Sequence, residues 1–204
     1  MKNKRYCFID FETTGLSPFE DYPIQLGAVL VDFPSFKIIK EGKFNLQIPK
    51  DFVMSQRVID IHGVTDAEAH SFPDPELQMK AFFKSFGTNY SFAAWNVKFD
   101  LPFMQALCMR TGLTKELRRV NYLSFCPMVF AQGLIDANLL PLTRVSLNNV
   151  AEYFNLSRKN NTHDALEDAW LAMETYKAML EYLKPKPVTM MKQPRVILNS
   201  SEKA

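Results

Sequence analysis

Two acidic side chains, Asp10 and Glu12, follow a short apolar run and are separated by one residue. Because side chains alternate across a β-strand, we expect both carboxylates on one face, with Ile9 and Phe11 pointing into a core on the other. Neighbouring carboxylates resist ionising together unless a cation lies between them, and hard oxygen ligands favour Mg²⁺ or Mn²⁺ over zinc. The pair therefore indicates a divalent-metal site, although alone it is equally compatible with a strand that ends in the turn Thr13-Thr14-Gly15.

A third acid, Asp100, stands near the start of a predicted helix that follows the strand-like stretch 91–95. Taken alone, this position is weak support for a functional role, because acids are common in first helical turns, where they meet the helix dipole. Pro102 is predicted in the first turn of the same helix, where its missing N–H does no harm.

The segment His163-Asp-Ala-Leu-Glu-Asp168 has the pattern of a capping box, with Asp164 as the N-cap of a helix and Glu167 three residues later. His163 and Asp168 then occupy the two positions that usually touch in a hydrophobic staple. An imidazole with a pKa near 6.5 accepts a proton at neutral pH and suits a general base. A lone histidine is more simply a surface or capping residue, but its place beside Asp168 favours the functional interpretation.

The elements that must position these groups alternate in type along the chain. The apolar pattern predicts strands at 6–9, 24–31, 37–46, 91–95 and 122–126. It predicts helices around residues 75–86, from near residue 100, and at 128–134, 147–154 and 166–180. Strands followed by alternating strands and helices predict an α/β fold, in which one mixed sheet is covered by helices on both sides.

Composition excludes several other classes of protein. The chain has 204 residues, 47% of them hydrophobic, which is enough for one full core. Its three cysteines indicate neither a disulfide framework nor a zinc cluster and fit reduced thiols in a cytoplasmic protein. No apolar run approaches the roughly 18 residues of a membrane span, and acids interrupt the N-terminal apolar run, so neither a membrane protein nor a secretion signal is expected.

Charge is distributed unevenly along the chain. The net charge of +2 is too small to indicate nucleic-acid binding by itself. Residues 184–204 carry a balance of +4, which leaves about −2 for the remainder. We expect these residues to form a basic, Pro-containing, flexible tail on one domain spanning residues 1–183.

At this point the sequence resembles the DEDDh family of 3'-to-5' exonucleases, which includes the proofreading subunit of bacterial replicative polymerase, ribonuclease T and oligoribonuclease. Its three motifs appear in order as residues 8–16 (Phe-Ile-Asp-Phe-Glu-Thr-Thr-Gly-Leu), 96–100 (Asn-Val-Lys-Phe-Asp) and 163–168 (His-Asp-Ala-Leu-Glu-Asp). The segment Ile61-His-Gly-Val-Thr65 also resembles one that many members carry. The similarity extends over residues 5 to 182.

The resemblance implies a ribonuclease H-like fold, with a five-stranded mixed sheet, one antiparallel strand and helices on both faces. It also implies a two-metal mechanism with Mg²⁺ or Mn²⁺. In that mechanism Asp10 contacts both ions, Glu12 and Asp168 hold the ion on the nucleophile side, Asp100 holds the other, and His163 takes the proton from the attacking water.

For the substrate, the resemblance implies the 3' end of single-stranded DNA or RNA, with nucleoside 5'-monophosphates as products. The expected binding residues are Thr13 through its backbone N–H, Leu16 and Phe99 through apolar or stacking contacts, and, as weaker candidates, His62 and Val64. Ordinary core packing is the alternative for Leu16 and Phe99. Homodimer formation, association with a polymerase and the choice between DNA and RNA stay open. The alternative function is a catalytically weak nucleic-acid-binding module of the same fold.

Overall fold

A computed structural model describes residues 4–158 and 163–185 of the chain. Its sheet contains the five strands β1 Lys4–Thr13, β2 Pro23–Phe33, β3 Lys37–Asn45, β4 Ser91–Ala93 and β5 Asn121–Phe125, in the spatial order β3-β2-β1-β4-β5. β2 runs antiparallel to both of its neighbours, whereas β1, β4 and β5 run parallel to one another. The predicted mixed sheet with one antiparallel strand is confirmed.

Eight helices lie in the described part of the chain. They are α1 Gln56–His62, α2 Asp66–Ser71, α3 Pro75–Phe86, α4 Val97–Arg110, α5 Thr114–Leu117, α6 Pro127–Asp136, α7 Leu147–Tyr153 and α8 Ala165–Tyr182. None of them is both long and apolar enough to cross a membrane. The predicted tail, apart from residues 184 and 185, lies outside the described residues.

The sheet has a hydrophobic core on each face, which explains the near-continuous apolar runs of β1 and β2. On one face, Ile9 and Phe11 pack with side chains of α3 and α4. On the other, Tyr6 and Phe8 pack with side chains of α6, α7 and α8. Because strand side chains alternate, Asp10 and Glu12 continue the face that carries Tyr6 and Phe8, where α8 lies.

Two sequence predictions about helices need correction. The helices α1, α2 and α5 were not predicted; they are seven, six and four residues long, so few positions are available to show a hydrophobic period. A signal for α2 was nevertheless present, since Thr65 and Glu68 form a reciprocal capping box. Pro102 lies in the second turn of α4 rather than the first, because the helix already begins at Val97.

All three cysteines are free in the structure, as their spacing predicts. Cys7 and Cys108 are buried in the core between the sheet and α3 and α4. Burial raises the pKa of the Cys108 thiol to about 12, so this sulfur behaves as a small apolar side chain rather than as a nucleophile.

Candidate active site

The end of β1 brings its two carboxylates to the edge of the sheet. Asp10 pairs with Gly27 of β2, and Glu12 pairs with Gln25 just before the register shifts at Thr13. Glu12 is 6% exposed, and its Oε1 atom is buried without a hydrogen-bond partner among the described residues. A buried carboxylate oxygen without a donor is costly, which is consistent with a cation as its missing partner.

The first turn of α4 brings Asp100 against the same strand. Its side chain is 3% exposed, and its Oδ1 atom accepts a hydrogen bond of 3.1 Å from the backbone N–H of Phe11. Phe11 lies between Asp10 and Glu12 in sequence, so this bond holds the third carboxylate beside the first two. Asp100 is thus stabilised both by the dipole of α4 and by a hydrogen bond from the backbone of β1.

The start of α8 lies directly on β2, and Gly27 permits this approach. A Cβ atom at Gly27 would be 2.0 Å from the carbonyl oxygen of Ala165, closer than any contact a side chain can make. Asp164 caps α8 as predicted, since its carboxylate accepts from the backbone N–H groups of Leu166 and Glu167. Lys43 on β3 also binds the Asp164 carboxylate, at 2.7 Å. These contacts place the first turn of α8 over the β1 carboxylates.

The fourth carboxylate and the histidine meet the β1 pair at this point. Asp168 is 3% exposed, and its Oδ2 atom lies 3.3 Å from Nδ1 of His163. The same Nδ1 atom lies 4.0 Å from Oε1 of Glu12. One ligand atom from each of Glu12, His163 and Asp168 can be chosen so that all three lie within 4.8 Å of one another. The sequence-predicted catalytic set therefore converges in space.

Electrostatics in the cluster disfavours full ionisation in the absence of a cation. Burial, together with the neighbouring carboxylates Asp100, Asp168 and Glu12, raises the pKa of Asp10 well above its usual value. Burial likewise raises the pKa of Glu12 to about 7 and that of Asp100 to about 8. A cation would reverse this balance by stabilising the charged forms.

Asp168 is the exception among the four acids. Its burial favours the neutral form, but hydrogen bonds from His163 and Arg158 outweigh burial and lower its pKa. In return, the hydrogen bond to Asp168 raises the pKa of His163 above its usual value. The His163 side chain remains 42% exposed, so it is open to solvent and to a substrate.

The described side chains fit a divalent cation of the hard type. The donors are carboxylate oxygens with one imidazole, none of the cysteines contributes, and the orphaned Glu12 Oε1 atom faces the cluster. Oxygen-rich sets of this kind suit Mg²⁺ or Mn²⁺. Asp10, Glu12, Asp100 and Asp168 are the residues that would hold such ions.

These groups line a cavity of about 480 Å³ beside the sheet edge. The expected substrate-binding residues that also line it are Thr13, Leu16, His62 and Phe99. Phe99 packs partly against Phe103 in the core, at a ring separation of 5.1 Å, while Leu16 is 85% exposed. Core packing is therefore excluded for Leu16 and holds in part for Phe99.

Val64 does not line this cavity. Its side chain packs against the small apolar cluster of Ile24, Ile48, Met54 and Ala69. Its backbone N–H donates to Nδ1 of His62 at 3.0 Å, which orients the imidazole that does line the cavity. The expectation of direct substrate contact by Val64 therefore needs correction, because the turn after α1 directs its side chain into the core.

Arg158 is the main cavity residue that the sequence did not indicate. Its guanidinium binds both oxygens of Asp168, with Nη2 at 3.0 Å from Oδ2 and Nε paired with Oδ1, and it also contacts Asn148. Arg158 lies in a polar loop without a periodic pattern, so only the folded chain reveals its contact with Asp168. Trp95, Asn96, Arg57 and Leu147 also line the cavity.

Solved structures with the same fold include Exonuclease I of E. coli. Its complex with a dT13 oligonucleotide matches with a TM-score of 0.74 and 18% identity, covering 85% of this chain and 40% of that chain. A zinc-bound Exonuclease I–ssDNA complex matches with a TM-score of 0.76 and 17% identity, covering 89% and 41%. At this level of identity, the likeness shows the fold, which is α/β with a mixed five-stranded sheet of the ribonuclease H-like type.

Among curated proteins, the chain is similar to PolC-type DNA polymerase III. It is 27% identical over 179 residues to the enzyme of Caldanaerobacter subterraneus subsp. tengcongensis, and 26% identical over 193 residues to that of Thermotoga petrophila. The matches cover 88% and 94% of this chain but only 12% and 13% of those proteins. A family model described as "RNase_T: Exonuclease" matches residues 7–176. The chain therefore belongs to this exonuclease family, within the DEDD group of 3'-to-5' exonucleases.

Proposed function

We propose that the chain hydrolyses phosphodiester bonds from the 3' end of single-stranded DNA or RNA, using two Mg²⁺ or Mn²⁺ ions and a histidine base, and releases nucleoside 5'-monophosphates. The observation that carries this proposal is the convergence of Asp10, Glu12, Asp100, Asp168 and His163 in one cavity. Four acids from three distant stretches would not gather at such an electrostatic cost without a cation to hold. A binding module without activity has no need of the complete set.

Divalent ions in this cluster would stabilise the charge on the entering and leaving oxygens and acidify a bound water. Asp10 and Glu12, on one strand face, would supply oxygen ligands from β1, and Asp168 would supply them from α8. Asp100, whose carboxylate accepts from the Phe11 N–H, would be a further ligand. Because these carboxylates sit on a strand and two helix starts, their positions are set before substrate arrives, as efficient catalysis requires.

The geometry of His163 supports its role as general base. When Nδ1 donates to Asp168, the ring is held as the tautomer whose Nε2 atom can accept a proton. The backbone N–H of His163 also donates to the carbonyl oxygen of Ile61 at 3.2 Å, which ties the residue to the end of α1. The hydrogen bond to Asp168 raises the pKa of His163, so the neutral ring is a stronger base but a higher pH is needed to form it.

Single-stranded nucleic acid is the proposed substrate for two reasons. The cavity combines the carboxylate cluster with the apolar side chains of Leu16, Phe99 and Trp95, which suit a base and sugar. The solved Exonuclease I structures of the same fold include complexes with single-stranded oligonucleotides. We also propose that the chain associates with a polymerase, because its curated relatives include PolC-type DNA polymerase III.

Labelled single-stranded DNA and RNA of matched sequence test the proposal directly. We expect stepwise shortening from the 3' end with Mg²⁺ or Mn²⁺ and none after chelation. His163→Ala should lower the rate by about 10²- to 10⁴-fold, the usual contribution of a general base, while retaining metal-dependent strand binding. Activity that survives chelation would contradict the metal mechanism. Strand binding without any shortening would instead support the binding-module alternative.

A further inference from the structure

The loop of residues 14–22, here called the Phe19 loop, presents two large apolar side chains to solvent. Leu16 is 85% exposed and Phe19 is 88% exposed. Leu16 lines the catalytic cavity, and Phe19 lies three residues further along, outside the cavity lining. The loop therefore carries one exposed apolar side chain in the cavity lining and a second one outside that lining.

This loop is held firmly by Arg110, which reaches it from the end of α4. The guanidinium donates to the carbonyl oxygens of Pro18 and Asp21 at 2.9 Å each and of Phe19 at 3.2 Å. It also lies 4.7 Å from the centre of the Tyr22 ring. The carbonyl of Phe19 itself is thus fixed to a helix of the main body.

A second set of contacts holds the loop from within. The Asp21 carboxylate accepts from the backbone N–H of Ser17 at 2.8 Å and from the Thr14 hydroxyl at 3.3 Å. A Cβ atom at Gly15 would lie 2.4 Å from the same carboxylate, so only glycine permits this closure. The backbone that carries Phe19 is therefore well ordered, while its ring packs on almost nothing.

A rigid backbone beneath an exposed aromatic ring suits a binding surface. Exposing the ring to water is unfavourable, and fixing the backbone in advance lowers the entropy lost when a ligand stacks on it. An aromatic residue with only two side-chain torsions loses little further freedom on binding. The contacts of Arg110 and Asp21 therefore fix the backbone in a position that keeps the Phe19 ring exposed to a ligand.

Resting on the proposed function, we propose that Phe19 is a stacking platform for an unpaired base upstream of the 3'-terminal nucleotide. Leu16 lines the cavity that would hold the terminal nucleotide, and Phe19 follows it on the same fixed loop, so a strand that leaves the cavity over this loop would reach the Phe19 ring. The ligand is a base rather than a phosphate, because the guanidinium of Arg110 donates to the loop carbonyls and the next residue in the loop, Glu20, is exposed and acidic. A base has an uncharged π-face, and its stacking on an aromatic ring tolerates any base.

Two substrates of different length separate this role from catalysis. The p-nitrophenyl ester of thymidine 5'-monophosphate engages only the terminal-nucleotide position, whereas a single-stranded oligothymidylate of about 12 nucleotides reaches beyond it. For Phe19→Ala we expect KM for the oligonucleotide to rise about tenfold, with kcat and the hydrolysis of the ester unchanged. Phe19→Trp should restore the wild-type KM, because it keeps an aromatic face.

Tyr122→Ala is the matched control. Tyr122 is an 89% exposed aromatic residue near the start of β5. The preceding residue of β5 pairs with Ser91 of β4, and Ser91 pairs in turn with Tyr6 of β1. Tyr122 is therefore level with Tyr6 in the sheet rather than with Asp10. Tyr122→Ala should leave the kinetic constants for both substrates unchanged.

Equal KM values for wild type and Phe19→Ala on the oligonucleotide would overturn the proposal and point to a protein contact for the ring. A parallel loss on the ester would also overturn it, by showing a structural effect on the catalytic cavity. Failure of the wild-type chain to cleave either substrate would refute the proposed function instead.

Discussion

At the scale of single residues, the ionisation of the cluster depends on which cation balances it. Arg158 pairs with both oxygens of Asp168, and its charge also favours ionisation of Asp10 and Glu12. A divalent ion bound by Asp168 would compete with the guanidinium for the same oxygens. We therefore expect Arg158 to stabilise the cluster without metal and to oppose the binding of metal.

Replacement of this residue tests the balance. In Arg158→Gln we expect Mn²⁺ to bind about tenfold more tightly, because the competing charge is removed, and the metal-free protein to unfold at a lower temperature, because a buried carboxylate loses its partner. Isothermal titration calorimetry and thermal unfolding measure the two effects. Arg57→Gln is the control, because Arg57 is exposed and lines the same cavity without an ion pair to Asp168 among the described contacts. Weaker Mn²⁺ binding in Arg158→Gln would show that Arg158 helps to hold the metal ligands in place.

At the scale of elements, the packing of α8 against β2 decides whether the catalytic set forms. Asp168 lies in α8, and His163 immediately precedes the N-cap of that helix. Asp10 and Glu12 lie in β1. The absence of a side chain at Gly27, opposite Asp10, allows the backbone of α8 to lie on the sheet. Lys43 and Trp170 add contacts between β3 and α8, through Asp164 and Glu41 respectively.

A methyl group added at Gly27, where α8 lies on β2, should affect the exonuclease rate more than the stability of the fold. We expect Gly27→Ala to destabilise the fold by about 1–3 kcal/mol, the usual cost of overpacking. It should also lower the exonuclease rate far more than this loss implies, because α8 must shift away from the β1 carboxylates. Denaturant unfolding and the rate on a single-stranded oligonucleotide give the two values.

Gly133→Ala in α6 is the control for the same chemical change. A Cβ atom there has no neighbour within 4 Å, and alanine is the better helix former, so stability should be equal or higher and the rate unchanged. A Gly27→Ala variant with normal activity would show that α8 does not need this close approach.

At the scale of the whole molecule, the cluster links stability to pH and to metal. The folded-state pKa values of Glu12, about 7, and of Asp100, about 8, lie above the ordinary values of 4.5 and 3.8 for these groups. A carboxyl group whose pKa is raised by folding favours the folded state at low pH, and this contribution is lost as pH rises through the folded-state pKa. His163, with a raised pKa, acts in the same direction. The lowered pKa of Asp168 acts in the opposite direction but only in more acidic solution.

Without metal, we therefore expect the thermal midpoint to fall by on the order of 5 °C between pH 5 and pH 8. Mg²⁺ or Mn²⁺ should raise the midpoint more at pH 8, where the carboxylates are ionised, than at pH 5, where protons compete with the ion. Differential scanning calorimetry with and without chelator measures both trends. The double variant Glu12→Gln with Asp100→Asn should weaken both trends, and an unchanged pH dependence in that variant would place its origin outside these two carboxyl groups.

Much of the fold and of the catalytic set was predictable because the signals are local. The strand alternation at Asp10 and Glu12, the cap at Asp164 and the spacing from His163 to Asp168 each depend on a few adjacent residues. The apolar lining of the cavity was predicted less well, since Val64 packs into an apolar cluster and Phe99 lies partly in the core. Those side chains are apolar, and an apolar residue in a sequence does not show whether it will meet a substrate or a neighbour.

The sequence by itself indicated the type of chemistry, because four carboxylates and an imidazole occur together in three motifs whose order resembles one family. It also indicated the order of the strands and long helices through their hydrophobic periods. Only the tertiary structure decided the contact of Arg158 with Asp168, the close approach of α8 at Gly27 and the exposure of Phe19 on a loop fixed by Arg110. The physical reason is the range of the interactions. Periodicity and capping act between residues a few positions apart, whereas these contacts join segments that are distant in sequence or depend on the path of an irregular loop.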